Sequence, residues 1–104
     1  MENEKLLRHV VLFKFKDSSS PAEIQHVADT FYALKNQVPF IAAMEWGVNN
    51  SPEHFNQGFT HCFVLSYRSE ADLANYQEHP AHKAFQSILQ PHMEKVFVVD
   101  YWVK

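Results

Sequence analysis

The chain has 104 residues, 46% hydrophobic and 14% aromatic, and its 9 Lys and Arg against 12 Asp and Glu leave a net charge of −3. A chain of this length supports one core, so residues 1–104 read as a single domain; the aromatic content argues against disorder, and no Lys/Arg cluster exists that could follow a nucleic-acid backbone. Cys62 is alone, the opening Met1-Glu2-Asn3-Glu4-Lys5 is too acidic for a secretory leader, and no apolar run approaches the roughly 20 residues of a membrane span, which together point to a reduced, cytoplasmic setting.

Leu7 to Lys16 alternates, with Leu7, His9, Val11, Phe13 and Phe15 on one side and Arg8, Val10, Leu12, Lys14 and Lys16 on the other, the period of a strand. Ser20-Pro21-Ala22-Glu23 is a helix start: an N-cap serine, a proline at the first helical position and a glutamate placed to close a capping box. Ile24, Val27, Ala28, Phe31 and Leu34 carry the helix forward, and Pro39 ends it by Val38. Ile41 to Asn49 reads as a second strand with Ala42, Met44, Trp46 and Val48 on one face. A polar loop to Gly58 leads to a third strand, where Phe59, His61, Phe63, Leu65 and Tyr67 face one way and Thr60, Cys62, Val64 and Ser66 the other. Ser69 caps a second helix carrying Leu73 and Tyr76; Pro80 interrupts it, and a helical stripe resumes with His82, Phe85, Ile88 and Leu89. Pro91 is placed to kink that helix, and Val96 to Val103 is the last strand.

The order β-α-β-β-α-β is the ferredoxin-like arrangement, an α+β fold with one four-stranded antiparallel sheet. Helices cover only one face of such a sheet. Val10, Leu12, Cys62 and Val64 on the other face form too apolar a patch to leave in water, and a second copy of the same sheet is the simplest cover, closing a dimeric α/β barrel. Trp46 and Trp102 are candidates for that contact. Asp100, an acidic residue among apolar neighbours, is expected either to face solvent or to join an interface hydrogen bond.

Chemistry concentrates in Tyr76-Gln77-Glu78-His79-Pro80-Ala81-His82, where a phenol and two imidazoles gather at a helix break. An imidazole titrates near neutrality, so small changes of environment make it an acid or a base. His82 therefore reads in two ways. It is a general base with Tyr76 holding the oxygen of the resulting enolate, or it is a helix residue whose ring satisfies backbone groups at the Pro80 break. His9 and His61, on largely apolar strand faces, read as pocket-lining residues, and His79 as a cap or hinge before Pro80. His26, His54 and His92 have surface or loop contexts. Seven histidines raise the question of a metal, but the proline between His79 and His82 breaks their three-residue spacing and no cysteine or carboxylate completes a ligand set, so neither metal nor cofactor is expected.

Five segments carry a family resemblance: Arg8-His9-Val10-Val11-Leu12-Phe13-Lys14-Phe15-Lys16, Glu45-Trp46-Gly47, Gly58-Phe59-Thr60-His61, Tyr76-x-x-His79-Pro80-x-His82 and Val98-Val99-Asp100-Tyr101. Each is weak alone. In this order, spread over nearly the whole chain, they resemble the stress-responsive A/B barrel domain (Dabb) family, and within it the olivetolic acid cyclase-like dimeric barrels. The resemblance implies a homodimeric barrel without cofactor, whose pocket uses His82 and Tyr76 as catalytic residues with His9 and His61 beside the substrate. It leaves three functions open: proton-transfer chemistry of cyclase or lyase type on a carbonyl or polyketide-like ligand, a non-enzymatic stress-response or binding protein, and a cofactor-free monooxygenase.

Overall fold

The computed structural model describes residues 5–104, so all but the last residue of the acidic opening segment lies outside the described residues. The elements are β1 (Leu7–Phe15), α1 (Pro21–Ala33), a 3₁₀ turn (Leu34–Asn36), β2 (Ala43–Val48), β3 (His61–Tyr67), α2 (Glu70–Glu78), α3 (Pro80–Leu89) and β4 (Met93–Trp102). The strands form one antiparallel sheet in the order β2-β3-β1-β4, which makes the fold ferredoxin-like.

The helix starts form as their sequences direct. Ser20 Oγ accepts from Glu23 N–H while Ser20 N–H donates to Glu23 Oε1 at 2.8 Å, the reciprocal capping box, with Pro21 at the first helical position where a missing N–H costs nothing. Ser69 Oγ accepts from Asp72 N–H at 3.0 Å and starts α2. At the break, Pro80 opens α3 and the His79 side chain is its N-cap, Nδ1 accepting from Ala81 N–H at 3.0 Å.

Leu7, His9, Val11, Phe13 and Phe15 of β1 are all buried against the helices. Phe63 and Leu65 join them from β3, and Phe31 of α1 stacks on Phe85 of α3 with ring centres 4.5 Å apart. Burying each such ring stabilises the fold by about 1.5–3 kcal/mol, so this aromatic layer is the main force fixing α1 and α3 over the sheet. The opposite face carries Val10, Leu12, Cys62 and Val64, half-buried and paired Val10 with Val64 and Leu12 with Cys62. Phe97, Val99 and Tyr101 of β4 extend this apolar face and are exposed.

Several expectations change. The first helix gives way to a 3₁₀ turn after Ala33 rather than running to Val38, although Val38 is still fully buried. α3 stops at Leu89, so Pro91 lies in a turn and kinks nothing. β4 begins at Met93, three residues earlier than its apolar run suggests, because Phe15 and Lys14 of β1 pair with Met93 and Lys95 despite the charges there. Trp46 belongs to the helix-side layer, stacked on Phe63 at 5.2 Å, and not to the outer face where a second sheet would dock. Its alternation with Met44 sets it inward with the Leu65 and Phe63 partners of those two residues.

Candidate active site

The helices cover the inner side of β3 and β1 but stop short of β4, whose inward Val96 and Val98 remain 45% and 46% exposed. Between this uncovered strip and α2–α3 lies a cavity of about 550 Å³. His9, Tyr76, His82 and Asp100 line it together with an apolar wall of Phe31, Phe85, Leu89, Val96 and Val98, and Gln77, Gln86 and Gln90 add further polar groups. A volume of this size falls within the range of small-molecule sites.

Strand pairing places His9 and Asp100. They sit directly opposite each other on β1 and β4, so both side chains turn to the helix side. His9 is 7% exposed, and its Nδ1–H donates to Asp100 Oδ1 at 2.6 Å. That contact sets the ring orientation and leaves Nε2 as the nitrogen available to a ligand. Asp100 is exposed, as one of the two expectations had it, but its carboxylate also holds His9: it is part of the site, a role that sequence reasoning missed. The signal was present as a lone carboxylate in an apolar strand, but only the β1–β4 register shows that a histidine lies opposite.

The helix break places Tyr76 and His82. Tyr76, in the last turn of α2, is buried, and His82, in the first turn of α3, is half-buried; their rings are 4.4 Å apart. His82 Nδ1–H donates to the Gln77 carbonyl at 3.1 Å, which fixes the neutral tautomer with the lone pair on Nε2. Burial lowers the His82 pKa, the Gln77 hydrogen bond opposes that shift, and the neighbouring His9 adds to it. Burial alone pushes the Tyr76 hydroxyl well above the ordinary phenol range, so it remains an O–H donor. The reading of His82 as a ring that satisfies a backbone group at the Pro80 break describes its Nδ1, which leaves Nε2 for the other reading. The third ring of the group, His9, lies 6.1 Å from Tyr76.

His61 is elsewhere. It shares the helix side of the sheet, but it pairs with Phe13 whereas His9 pairs with Leu65, four residues further along both strands. It stacks on Trp46 at 5.9 Å, meets Phe15 edge-on at 5.0 Å, and shares a 2.8 Å hydrogen bond with Thr60 Oγ1. The cavity is thus lined by His9, Tyr76 and His82 but not by His61. A shared face did not imply a shared pocket, because the strand is long enough to separate the two histidines. His79 spends its Nδ1 on the α3 cap and His92 shares its Nδ1 with Ser19 Oγ at 2.8 Å; among the described residues no three His, Cys, Asp or Glu side chains gather as a metal site.

The sequence profile of the stress responsive A/B barrel domain matches residues 7–103. The chain belongs to the Dabb family. A stress-response A/B barrel domain-containing protein of Arabidopsis thaliana is 37% identical over 95 residues, covering 91% of this chain and 87% of that one. Olivetolic acid cyclase of Cannabis sativa is 27% identical over 95 residues, covering 91% and 94%. Among solved structures, the hydroxynitrile lyase of Passiflora edulis superposes with a TM-score of 0.90 at 27% identity, over 97% of this chain and 95% of that one. A dimeric ferredoxin-like protein of unknown function from Bacteroides fragilis superposes with a TM-score of 0.76 at 27% identity, over 94% and 96%. Within this Dabb chain, the residues of the Tyr76-x-x-His79-Pro80-x-His82 segment divide their work: His79 caps α3, while Tyr76 and His82 line the cavity. No helix among the described residues is long and apolar enough to cross a membrane.

Proposed function

We propose that this Dabb protein is a homodimeric, cofactor-free enzyme that moves a proton on a carbonyl-bearing, polyketide-like ligand. The observation that carries this reading is the His82–Tyr76 pair on one cavity wall, an imidazole whose Nε2 is free and a phenol that stays protonated. His82 Nε2 takes the acidic proton α to the carbonyl, and the electron pair left behind moves onto the carbonyl oxygen. The Tyr76 hydroxyl donates to that oxygen as its charge grows. The enolate carbon then takes that proton back from His82, or attacks a second carbonyl of the same ligand, whose π electrons move onto its oxygen while that oxygen takes the proton from His82, which closes a ring. His9, held by Asp100, offers Nε2 as a second polar contact, and the apolar wall accepts the hydrocarbon part of the ligand. A cyclase and a lyase among similar proteins support this class of chemistry.

The apolar outer face of the sheet supports a homodimer, as does the dimeric state named for the Bacteroides fragilis protein. A second sheet over Val10, Leu12, Val64 and Val99 removes that patch from water. A reduced, cytoplasmic setting suits the single thiol of Cys62.

The test is exchange of the α-protons of benzoylacetone in D₂O, followed by proton NMR. The protein accelerates exchange, His82→Ala loses about a hundredfold or more of the acceleration, and Tyr76→Phe loses less. Exchange unchanged in a folded His82→Ala protein refutes the mechanism and leaves a ligand-binding protein as the reading.

A further inference from the structure

Behind the cavity wall lies a second phenol that this mechanism does not use. Tyr67, the last residue of β3, is fully buried, and its hydroxyl has no hydrogen-bond partner among the described residues. Buried hydroxyls nearly always have one, since an orphan forfeits its hydration without replacement, and a phenylalanine would fill the same space without that cost. The place of the orphan is informative. The Tyr67 ring lies 5.5 Å from Tyr76 and 6.2 Å from His9, both of which line the cavity. Burial first, then the proximity of Tyr76 and of Asp100, pushes its hydroxyl far above the ordinary phenol range, so it too remains a donor.

Tyr67 itself is enclosed, whereas Tyr76 reaches the cavity. We propose that Tyr67 is a positioning residue for Tyr76: when Tyr76 donates to a carbonyl or enolate oxygen of the ligand, the Tyr67 hydroxyl donates in turn to the Tyr76 oxygen. The inference rests on the reading of Tyr76 as the holder of the ligand oxygen. A phenol that donates to a charged oxygen becomes a better acceptor itself, because each bond in such a chain polarises the next. The orphan hydroxyl thus gains a partner when the ligand arrives, and no proton leaves either phenol. The ligand class that benefits is one whose oxygen carries developing negative charge, a β-dicarbonyl more than a simple hydrocarbon or alcohol.

Benzoylacetone binding by calorimetry, with thermal unfolding of the same samples, tests this in wild type, Tyr67→Phe, Tyr76→Phe and the double variant. Removing the orphan oxygen leaves Tm unchanged or raises it, while weakening benzoylacetone about fivefold, the worth of one hydrogen bond between neutral groups. In the Tyr76→Phe background the Tyr67→Phe change weakens it no further, since the residue acts only through Tyr76. A Tm lowered by several degrees in Tyr67→Phe gives the hydroxyl a structural partner and overturns the proposal; equal weakening in both backgrounds overturns it as well. If Tyr76→Phe weakens binding and Tyr67→Phe does not, this inference fails and the role of Tyr76 stands. If Tyr76→Phe has no effect, or wild type does not bind at millimolar benzoylacetone, both fall.

Discussion

Replacing Asp100 by Ala isolates the contact that the sequence did not reveal. His9 is buried to within 9% of its side-chain surface, and the Asp100 carboxylate is its Nδ1–H partner at 2.6 Å. Alanine leaves that N–H in a site where water has little access, and an orphaned buried donor costs about 1–3 kcal/mol. The Asp100 side chain is 37% exposed, so solvent already screens part of the interaction and the lower half of that range, about 1–2 kcal/mol, applies. For a domain of this size, each kcal/mol lowers Tm by roughly 4–8 °C, so Asp100→Ala melts on the order of 5–15 °C below wild type. Asp100→Asn retains an acceptor oxygen and loses less than half as much. Circular dichroism melts at one fixed protein concentration measure this, because self-association of the kind proposed makes Tm depend on concentration. An Asp100→Ala Tm within about 2 °C of wild type, the behaviour of an ordinary surface aspartate, refutes the argument that this carboxylate holds His9.

Val64→Asp places a charge on the outer sheet face opposite Val10, where a second sheet would enclose it; light scattering at micromolar concentration then shifts from twice the 12.2 kDa chain mass toward one chain, and unchanged association would show that this face is not the contact. Because burial lowers the His82 pKa from 6.5, the basic form persists to more acid pH than in a free histidine. The proton-exchange rate is flat above 6.5 and falls only below it, with an inflection above 6.5 contradicting the assignment. The sign for stability is the same: a depressed folded pKa makes a contribution that is complete above the unfolded value and lost as pH falls through the folded one. Dialysis against a chelator leaves Tm and benzoylacetone binding unchanged, since the Nδ1 atoms of His9 and His79 are already committed to Asp100 and to the α3 cap; stoichiometric zinc, nickel or copper in untagged protein would oppose this.

The fold was legible because its signals are local. The alternation of β1, the capping box at Ser20, the serine at 69 and the proline at 80 each act within a few residues, and each forms in the structure. Tyr76 and His82 were legible for the same reason, since they lie only six positions apart around one helix break. What sequence could not supply was register. The His9–Asp100 pair spans 91 positions and exists only because β1 and β4 align residue for residue. The register of β1 with β3 likewise sets His61 away from the cavity, since period-two patterning gives the face of a side chain but not its distance along the strand. The early start of β4 at Met93 was hidden by charges at Glu94 and Lys95. The bond of Glu94 to Lys14 across the strands, at 2.9 Å, explains their presence in a strand.

β4 connects the two halves of the functional argument. It touches the rest of the fold mainly through β1, and every residue of it but Met93 is exposed, an unusual state for a strand so rich in valine. Its alternate residues have different tasks. Val96, Val98 and Asp100 turn inward and wall the cavity; Phe97, Val99 and Tyr101 turn outward and enlarge the apolar face. Pairing along β1 alone leaves β4 an edge with its hydrophobic surface in water, which is the reason to expect a cover on its outer side. A second sheet laid there would hold the strand that carries Asp100, and through Asp100 the orientation of His9. Substitutions at the adjacent positions Val98 and Val99 should consequently separate the two roles, one altering the ligand wall and the other the contact between copies, although a single peptide bond joins them.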